Sequence, residues 1–275
     1  MLYPAPRYGI KPQPGIGLAK DGIRGLIAFF PFNEGVGLPR MLFSRPSLTG
    51  SFTGTPLPTW TPISEMAIQS GTSTSQTSAV DFGSPPEVQD LALLSGGFSW
   101  AARIYCIQVV GGIMERNDNN GSAGWAISVD TGGNILWQIV FSGSDFRCFG
   151  GPIGNRFNRW ATIASSWDGN HTAGSNTLFA IDGESKPIVA ISAGSGSQTS
   201  DAAQHLYIGK TRFGTGSGAL GGLISWVAFW NRQLNQGELC RVTDDQYGMF
   251  ERQIRPAGIS EAGAPVSIQP ASWIV

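Results

Sequence analysis

The sequence predicts an all-β fold: two antiparallel sheets packed as a sandwich, closed by one short helix. Three observations carry this expectation. Apolar residues alternate at period 2 in several short runs, as in strands with one buried face. Glycine (38) and proline (17) are abundant, and Ser and Thr fill much of the rest, which suits short strands joined by many turns. A capping-box signature begins at Asn235, with Glu238 three residues on and Leu239 and Val242 following on one face.

Taken in order, residues 1–22 read as an arm. Pro4, Pro6, Pro12 and Pro14 fix φ and remove backbone donors, so regular strand pairing is blocked. Residues 23–254 read as the folded domain and 255–275 as an irregular tail, interrupted by Pro256, Pro265 and Pro270 and ending in Trp273-Ile274-Val275. The first β run is Leu26-Ile27-Ala28-Phe29-Phe30, stopped at Pro31; residues 44–86 are turn-rich. From Phe98 to Cys106, one face carries Phe98, Trp100, Ala102, Ile104 and Cys106, and the other Ser99, Ala101, Arg103 and Tyr105. Trp125, Ile127 and Val129 share a face. The turn signal Thr131-Gly132-Gly133-Asn134 then leads to Ile135, Trp137, Ile139 and Phe141, so residues 125–141 are expected to form a hairpin. Further strands are expected at 160–167, 178–182, 187–192 and 205–209. The run Leu223–Trp230 is apolar on both faces, whereas a half-solvated antiparallel strand alternates. Its second face is therefore expected to be covered by the arm, the tail or another subunit. The helix is expected to end near Asp244 and Asp245, whose charges oppose a helix C-terminus.

Composition excludes several classes. At 275 residues the chain buries roughly three quarters of its unfolded surface, enough for a core without staples. Its net charge of -1 gives no basic surplus for phosphate neutralisation, so no nucleic-acid partner is expected. No stretch reaches the apolar length of a membrane span, so no membrane partner is expected. Cys106, Cys148 and Cys240 are odd in number and widely spaced without a CxxC pair, which argues against a disulfide framework and a zinc site. The opening residues are interrupted by prolines and followed by no apolar h-region, so they are not expected to act as a secretory signal. Charged residues are only 13%, leaving a neutral surface with little repulsion between copies.

The order of several segments resembles a known family. Gly25-Leu26-Ile27-Ala28-Phe29-Phe30-Pro31-Phe32-Asn33-Glu34-Gly35 is similar to the opening G-L-x-x-x-x-P-F-x-E-G of laminin-G-like jelly-roll domains. Ala79-Val80-Asp81-Phe82 and Phe98-Ser99-Trp100 resemble later strands, and Trp160-Ala161-Thr162-Ile163-Ala164 resembles W-x-H-V-A with Thr162 in place of His. Leu178–Gly183 resembles L-Y-V-D-G and Leu206–Gly209 resembles L-x-I-G. The stretch from Leu220 to Asn235 resembles the closing strand and turn, with Glu238 where the family's helix has its Glu. The resemblance covers residues 25–250 and implies a laminin-G/concanavalin-like jelly-roll sandwich. Such domains occur in receptor modules, lectin-like binders, glycan hydrolases and virion proteins, so the fold does not choose the function.

Catalytic signatures are absent from the sequence. Jelly-roll glucanases resemble one another in an E-x-D-x-x-E strand that aims alternate carboxylates into a cleft, and no such pattern occurs here. Glu115 and Asp118 read as solvated loop charges near Asn117, and Asp182 and Glu184 as turn charges around Gly183. His171 lies in a Gly/Asn loop and His205 just before a strand, neither beside a triad partner in the sequence. Gly216-Ser217-Gly218-Ala219-Leu220-Gly221 reads GxGxxG, but a β run follows it, so it is expected to be a turn. Ser128–Gly132 begins like a sialidase Asp-box and reads better as the hairpin turn. Tryptophans could stack on sugars; most fall in core registers, Trp60 and Trp273 least so. Asp118 with Asn117, Asn119 and Asn120 is the only suggestive calcium cluster, and a chance one in this reading. The sequons at Asn120 and Asn170 also read as chance. No catalytic, cofactor-binding or metal residue is assigned, and no cofactor is expected. The expectation is a non-enzymatic phage virion protein, a capsid decoration or tail-associated component made in the host cytoplasm. Its expected partners are other virion proteins and copies of itself, with a glycan-binding adhesin as the alternative. Chains ending like Tyr247-Gly248-Met249-Phe250 resemble ones from phage particles.

Overall fold

The computed structural model describes residues 24–32, 34–41, 48–63, 65–70, 77–108, 110–117, 123–154, 157–211 and 218–245. The expected arms at 1–22 and 255–275, the Asp118–Asn120 cluster, the sequon at Asn120, Gly216-Ser217 and Tyr247–Phe250 lie outside them.

The chain opens with β1 (Leu26–Pro31), β2 (Ser51–Thr53), β3 (Thr59–Ile63), β4 (Glu65–Gln69) and β5 (Ala79–Asp81). There follow β6 (Ser99–Cys106), β7 (Gly111–Asn117), β8 (Gly124–Val129), β9 (Asn134–Ile139), β10 (Phe146–Pro152) and β11 (Trp160–Ser166). The rest are β12 (Leu178–Ile181), β13 (Glu184–Lys186), β14 (Ile188–Ser192), β15 (Tyr207–Ile208), β16 (Lys210–Thr211), β17 (Gly218–Ala219), β18 (Gly222–Trp230) and the helix α1 (Gln236–Asp244). One sheet runs β13-β12-β11-β6-β18-β4-β3, with β1 also on β18. The other runs β14-β10-β9-β8-β7-β15-β5-β2, with β16 and β17 attached. The two faces meet over a single core, as in an aligned sandwich.

The alternations read from the sequence set this core. Phe98, Trp100, Ala102, Ile104 and Cys106 all point into it, as do Trp125, Ile127, Val129, Ile135, Trp137, Ile139 and Phe141. The 125–141 hairpin forms as expected. Asp130 Oδ1 accepts from the backbone N–H of Gly132 and of Asn134 at 2.8 Å each, so the Asp-box-like segment is a turn brace. Phe98 sits at the centre, with ring centroids 4.8 Å from Trp137, 5.7 Å from Trp125 and 6.2 Å from Trp167. The buried indole N–H groups of Trp100, Trp125, Trp137 and Trp230 find no acceptor, so these rings serve volume rather than polarity. Burial raises the thiols of Cys106 and Cys148 to about 12, and all three cysteines are free.

The doubly apolar run became β18, and it is buried on both faces as expected. Val227 and Phe229 face the inter-sheet core, while Trp226, Ala228 and Trp230 face an outer cluster with Leu234, Leu239 and Val242. Among the described residues, helix α1 and the turn before it contribute to that cover. A row of four alanines crosses this face, Ala228 pairing Ala101, Ala101 pairing Ala164 and Ala164 pairing Ala180 across β18, β6, β11 and β12, and α1 packs at its β11–β12 end. Methyl groups alone stand on that strip, which lets a helix approach the sheet closely. Ser225 is an extra residue on β18, between the pairs Ile224–Ile104 and Trp226–Arg103, and it switches the face of everything before it. The capping box forms as read: Asn235 Oδ1 accepts from Glu238 N and Glu238 Oε2 from Asn235 N, both at 3.0 Å.

Candidate functional site

The face of the ten-stranded sheet turned away from the core carries one continuous register row. It runs Ser192, Arg147, Gln138, Ala126, Glu115, Tyr207, Asp81, Ser51, each residue paired with the next. Because side chains alternate across the pleat, this row is polar for the same reason that the neighbouring row is tryptophan-rich.

At the β14 end the row opens into a cleft of about 510 Å³, lined by Phe141–Asp145, Arg147, Ser192 and Ala193. The Ser142-Gly143-Ser144 triplet in its wall is laced to a second such triplet, Ser195-Gly196-Ser197, behind it. Ser142 N–H donates to Ser197 O at 2.9 Å, Ser144 N–H to Ser195 O at 3.2 Å, and Ser195 N–H back to Ser144 O at 2.8 Å. The Ser144 and Ser195 hydroxyls lie 2.8 Å apart, those of Ser142 and Ser197 3.3 Å. A Cβ on Gly143 would sit 2.7 Å from Ser195 Oγ, so the closeness of the two triplets requires glycine there. Phe141 is buried beneath the exposed His171 ring, 5.0 Å away between centroids.

Asp145 is the fixed group of the cleft. Its Oδ2 accepts from Gln138 Nε2 at 2.8 Å and from Arg147 Nη2 at 3.4 Å. The Arg147 side chain stays 38% exposed, leaving guanidinium donors turned to solvent. Gln138 is fully buried, and its Oε1 accepts no hydrogen bond. The arrangement offers a held carboxylate acceptor, guanidinium donors and serine hydroxyls, a set suited to hydrogen-bonding a polyhydroxylated ligand.

At the other end of the row, His205 Nδ1 lies 3.0 Å from both Asp81 oxygens, and Lys210 Nζ lies 4.0 Å from the Tyr207 ring centroid. No neighbour in the sequence is a partner for His205; the pairing of β5 with β15 supplies one. Ser51, opposite Asp81, donates its hydroxyl to the Asp81 carbonyl oxygen at 3.4 Å. Glu115 requires a correction: it is not a solvated loop charge but a buried residue of β7, 1% exposed, accepting from Asn117 Nδ2 at 2.8 Å. The asparagines after it suggested a loop, yet β7 runs on to Asn117. Asp182 and Glu184 do flank a turn, with Glu184 paired to Lys186. Trp60 is half-buried and donates to Gly37 O at 3.0 Å. Asn170 accepts from the Trp167 indole at 2.8 Å through its carbonyl and braces a turn. Among the described residues, no three His, Cys, Asp or Glu side chains converge as a metal would require. The cleft itself was missed in the sequence; the visible signal was the repeated triplet, Ser142-Gly143-Ser144 and Ser195-Gly196-Ser197.

Sequence comparison matches residues 74–240 to the concanavalin A-like lectin/glucanases superfamily, so the chain belongs to that family. No curated protein sequence matches it. Among solved structures it is similar to domain 4 of an extracellular arabinanase from Geobacillus stearothermophilus in complex with arabinotriose. That match has a TM-score of 0.51 at 15% identity and covers 82% of this chain and 100% of that one. It is also similar to the binding domain of botulinum neurotoxin serotype D/C, at TM-score 0.57 and 13% identity, covering 80% of this chain and 52% of that one. Trypanosoma rangeli sialidase in complex with the inhibitor DANA matches at TM-score 0.51 and 11% identity, covering 83% and 34%. At such identities the likeness establishes the two-sheet lectin-like fold and nothing finer.

Proposed function

We propose that this chain is a non-catalytic binding module that takes a neutral glycan in the cleft at Phe141–Asp145, Arg147 and Ser192–Ala193. The observation that carries this reading is Asp145, held by Gln138 and Arg147 in an open cleft walled by serine hydroxyls. A carboxylate fixed before the ligand arrives accepts hydroxyl protons without first losing rotamer freedom. Support also comes from the structural neighbours solved with arabinotriose or described as interacting with gangliosides. The test is calorimetric titration with a panel of neutral oligosaccharides, beginning with arabino-oligosaccharides. At least one should bind, and Asp145→Ala should weaken it by about tenfold or more, the worth of one or two charge-assisted hydrogen bonds. No reducing sugar should be released; turnover abolished by Glu115→Gln or Glu184→Gln would overturn the non-catalytic reading.

A second reading makes the chain a phage virion component, a capsid decoration or tail-associated protein assembled through its terminal segments and sandwich faces. It is favoured by the low charge of the surface and by the proline-bearing segments 1–22 and 255–275. The doubly apolar strand lends it less support, because Leu234, Leu239 and Val242 of the same chain already cluster against that face. Mass spectrometry of purified particles from the source, asking for the chain and its stoichiometry, separates the two readings.

A further inference from the structure

We infer that β14 is the seat of a second copy of this chain, the two β14 strands pairing antiparallel about a two-fold axis near Ala190. An edge strand presents a row of unpaired N–H and C=O groups, and proteins blunt such edges with charge, proline, brevity or cover. The other ends of these sheets are blunted in those ways. β13 has three residues and carries Glu184 and Lys186; β2 has three residues; β3 contains Pro62; β1 is almost wholly buried and ends in Pro31. β14 is different. It has five residues without charge or proline, and four of the five are exposed, Val189 at 56% and Ile188 at 37%. From Pro187 to Ser200 the chain has no charged residue at all, so two copies of this edge meet without repulsion. The one irregularity is Val189, the extra residue between the pairs Phe149–Ala190 and Gly150–Ile188; Ala190–Ser192 pair regularly.

A second strand can take the place of water along that edge, and this strand is complementary to itself. With Ala190 opposite Ala190, Ile191 faces Val189 of the second copy and Ser192 faces Ile188 of the second copy. The small alanine methyl groups sit on the axis and the larger apolar side chains flank it. Such a contact is isologous and closed, so it ends at two copies. Because Ser192 and Ala193 also line the cleft, pairing would set the two clefts roughly 20 Å apart, three residues of about 3.3 Å on either side of the axis. A dimer would then present two sites together, with the gain in avidity that linkage brings. The pairing stands or falls independently of glycan binding.

Sedimentation velocity of the full chain across about 1–100 µM is the test, a range chosen for weak to moderate association. The expected result is a monomer–dimer equilibrium that Val189→Lys abolishes, with circular dichroism and melting temperature unchanged because Val189 is largely exposed. In a Cys240→Ser background, Ala190→Cys should oxidise to a cross-linked dimer while Lys186→Cys should not. A chain that stays monomeric throughout, or a dimer that survives Val189→Lys and leaves Ala190→Cys uncross-linked, overturns the inference.

Discussion

Arg116 shows how much one residue can hold at the loop end of the sandwich. Its side chain is fully buried; Nε donates to Asp201 Oδ1 at 2.9 Å, and the remaining guanidinium donors reach Pro85 O, Asp201 O and Ala202 O. Burial pushes the Asp201 carboxyl above and the Arg116 guanidinium below their ordinary values, against the attraction between them. Asp201 is tied in turn to Asp90 by two reciprocal backbone bonds, Asp90 N–H to Asp201 Oδ1 at 2.8 Å and Asp201 N–H to Asp90 Oδ1 at 2.9 Å. The guanidinium therefore ties β7 to the segments at Pro85 and at Asp201–Ala202. Arg116→Met should lower stability by about 3–5 kcal/mol, since it strands a buried carboxylate. Urea denaturation would show this as a shifted midpoint; a change below about 1 kcal/mol would mean that water reaches Asp201.

Helix α1 is the element on which the eight-stranded sheet depends for its outer cover. Its first turn is doubly fastened: Glu238 closes the capping box and also pairs with Arg232, Nη2 to Oε1 at 2.6 Å and Nη1 to Oε2 at 2.9 Å. Burial alone would raise the Glu238 carboxyl; the Arg232 hydrogen bond and charge and the Asn235 N–H outweigh it and hold it below the usual glutamate range. Because the folded value is depressed, this contribution is complete above the unfolded value of about 4.3 and is lost as pH falls through the folded one. Glu238→Gln keeps the capping-box acceptor and removes the ion pair. At neutral pH it should cost about 0.5–1 kcal/mol, as befits a part-exposed pair. The gap should stay constant above about pH 5 and close toward pH 3. Thermal unfolding of both proteins over that range checks it; a gap that widens in acid contradicts the assignment.

At the scale of the whole molecule, the two sheets are joined through aromatic volume. Phe98 contacts Trp125 and Trp137 of the ten-stranded sheet and Trp167 at the end of β11. Phe98→Ala would open a cavity at the point where both layers meet, at a cost of about 3–5 kcal/mol. Tryptophan fluorescence and far-UV circular dichroism should move to lower denaturant together, because the sheets share one core. Separate transitions would show that the layers unfold independently.

The sequence by itself determined what is local or pleat-like. The alternation of Phe98–Cys106 and of Trp125–Phe141 reports which face of a strand is buried, and the structure keeps those faces. Likewise the Asp130 turn and the Asn235–Glu238 cap are bonds between near neighbours, and their residue types announce them. Tertiary structure decided whatever depends on which distant strands lie side by side. The alanine row whose β11–β12 end seats α1 comes from four strands, and nothing in any one of them marks a helix seat. Glu115 is buried because β15 and β8 flank it, and Asp81 gains His205 because β5 pairs β15. The cleft, likewise, needs the 141–145 loop against residues 192–197. Side-chain periodicity is set by backbone geometry within a strand, whereas register between strands is set by the packing of the whole core, so the first can be read along the chain and the second cannot.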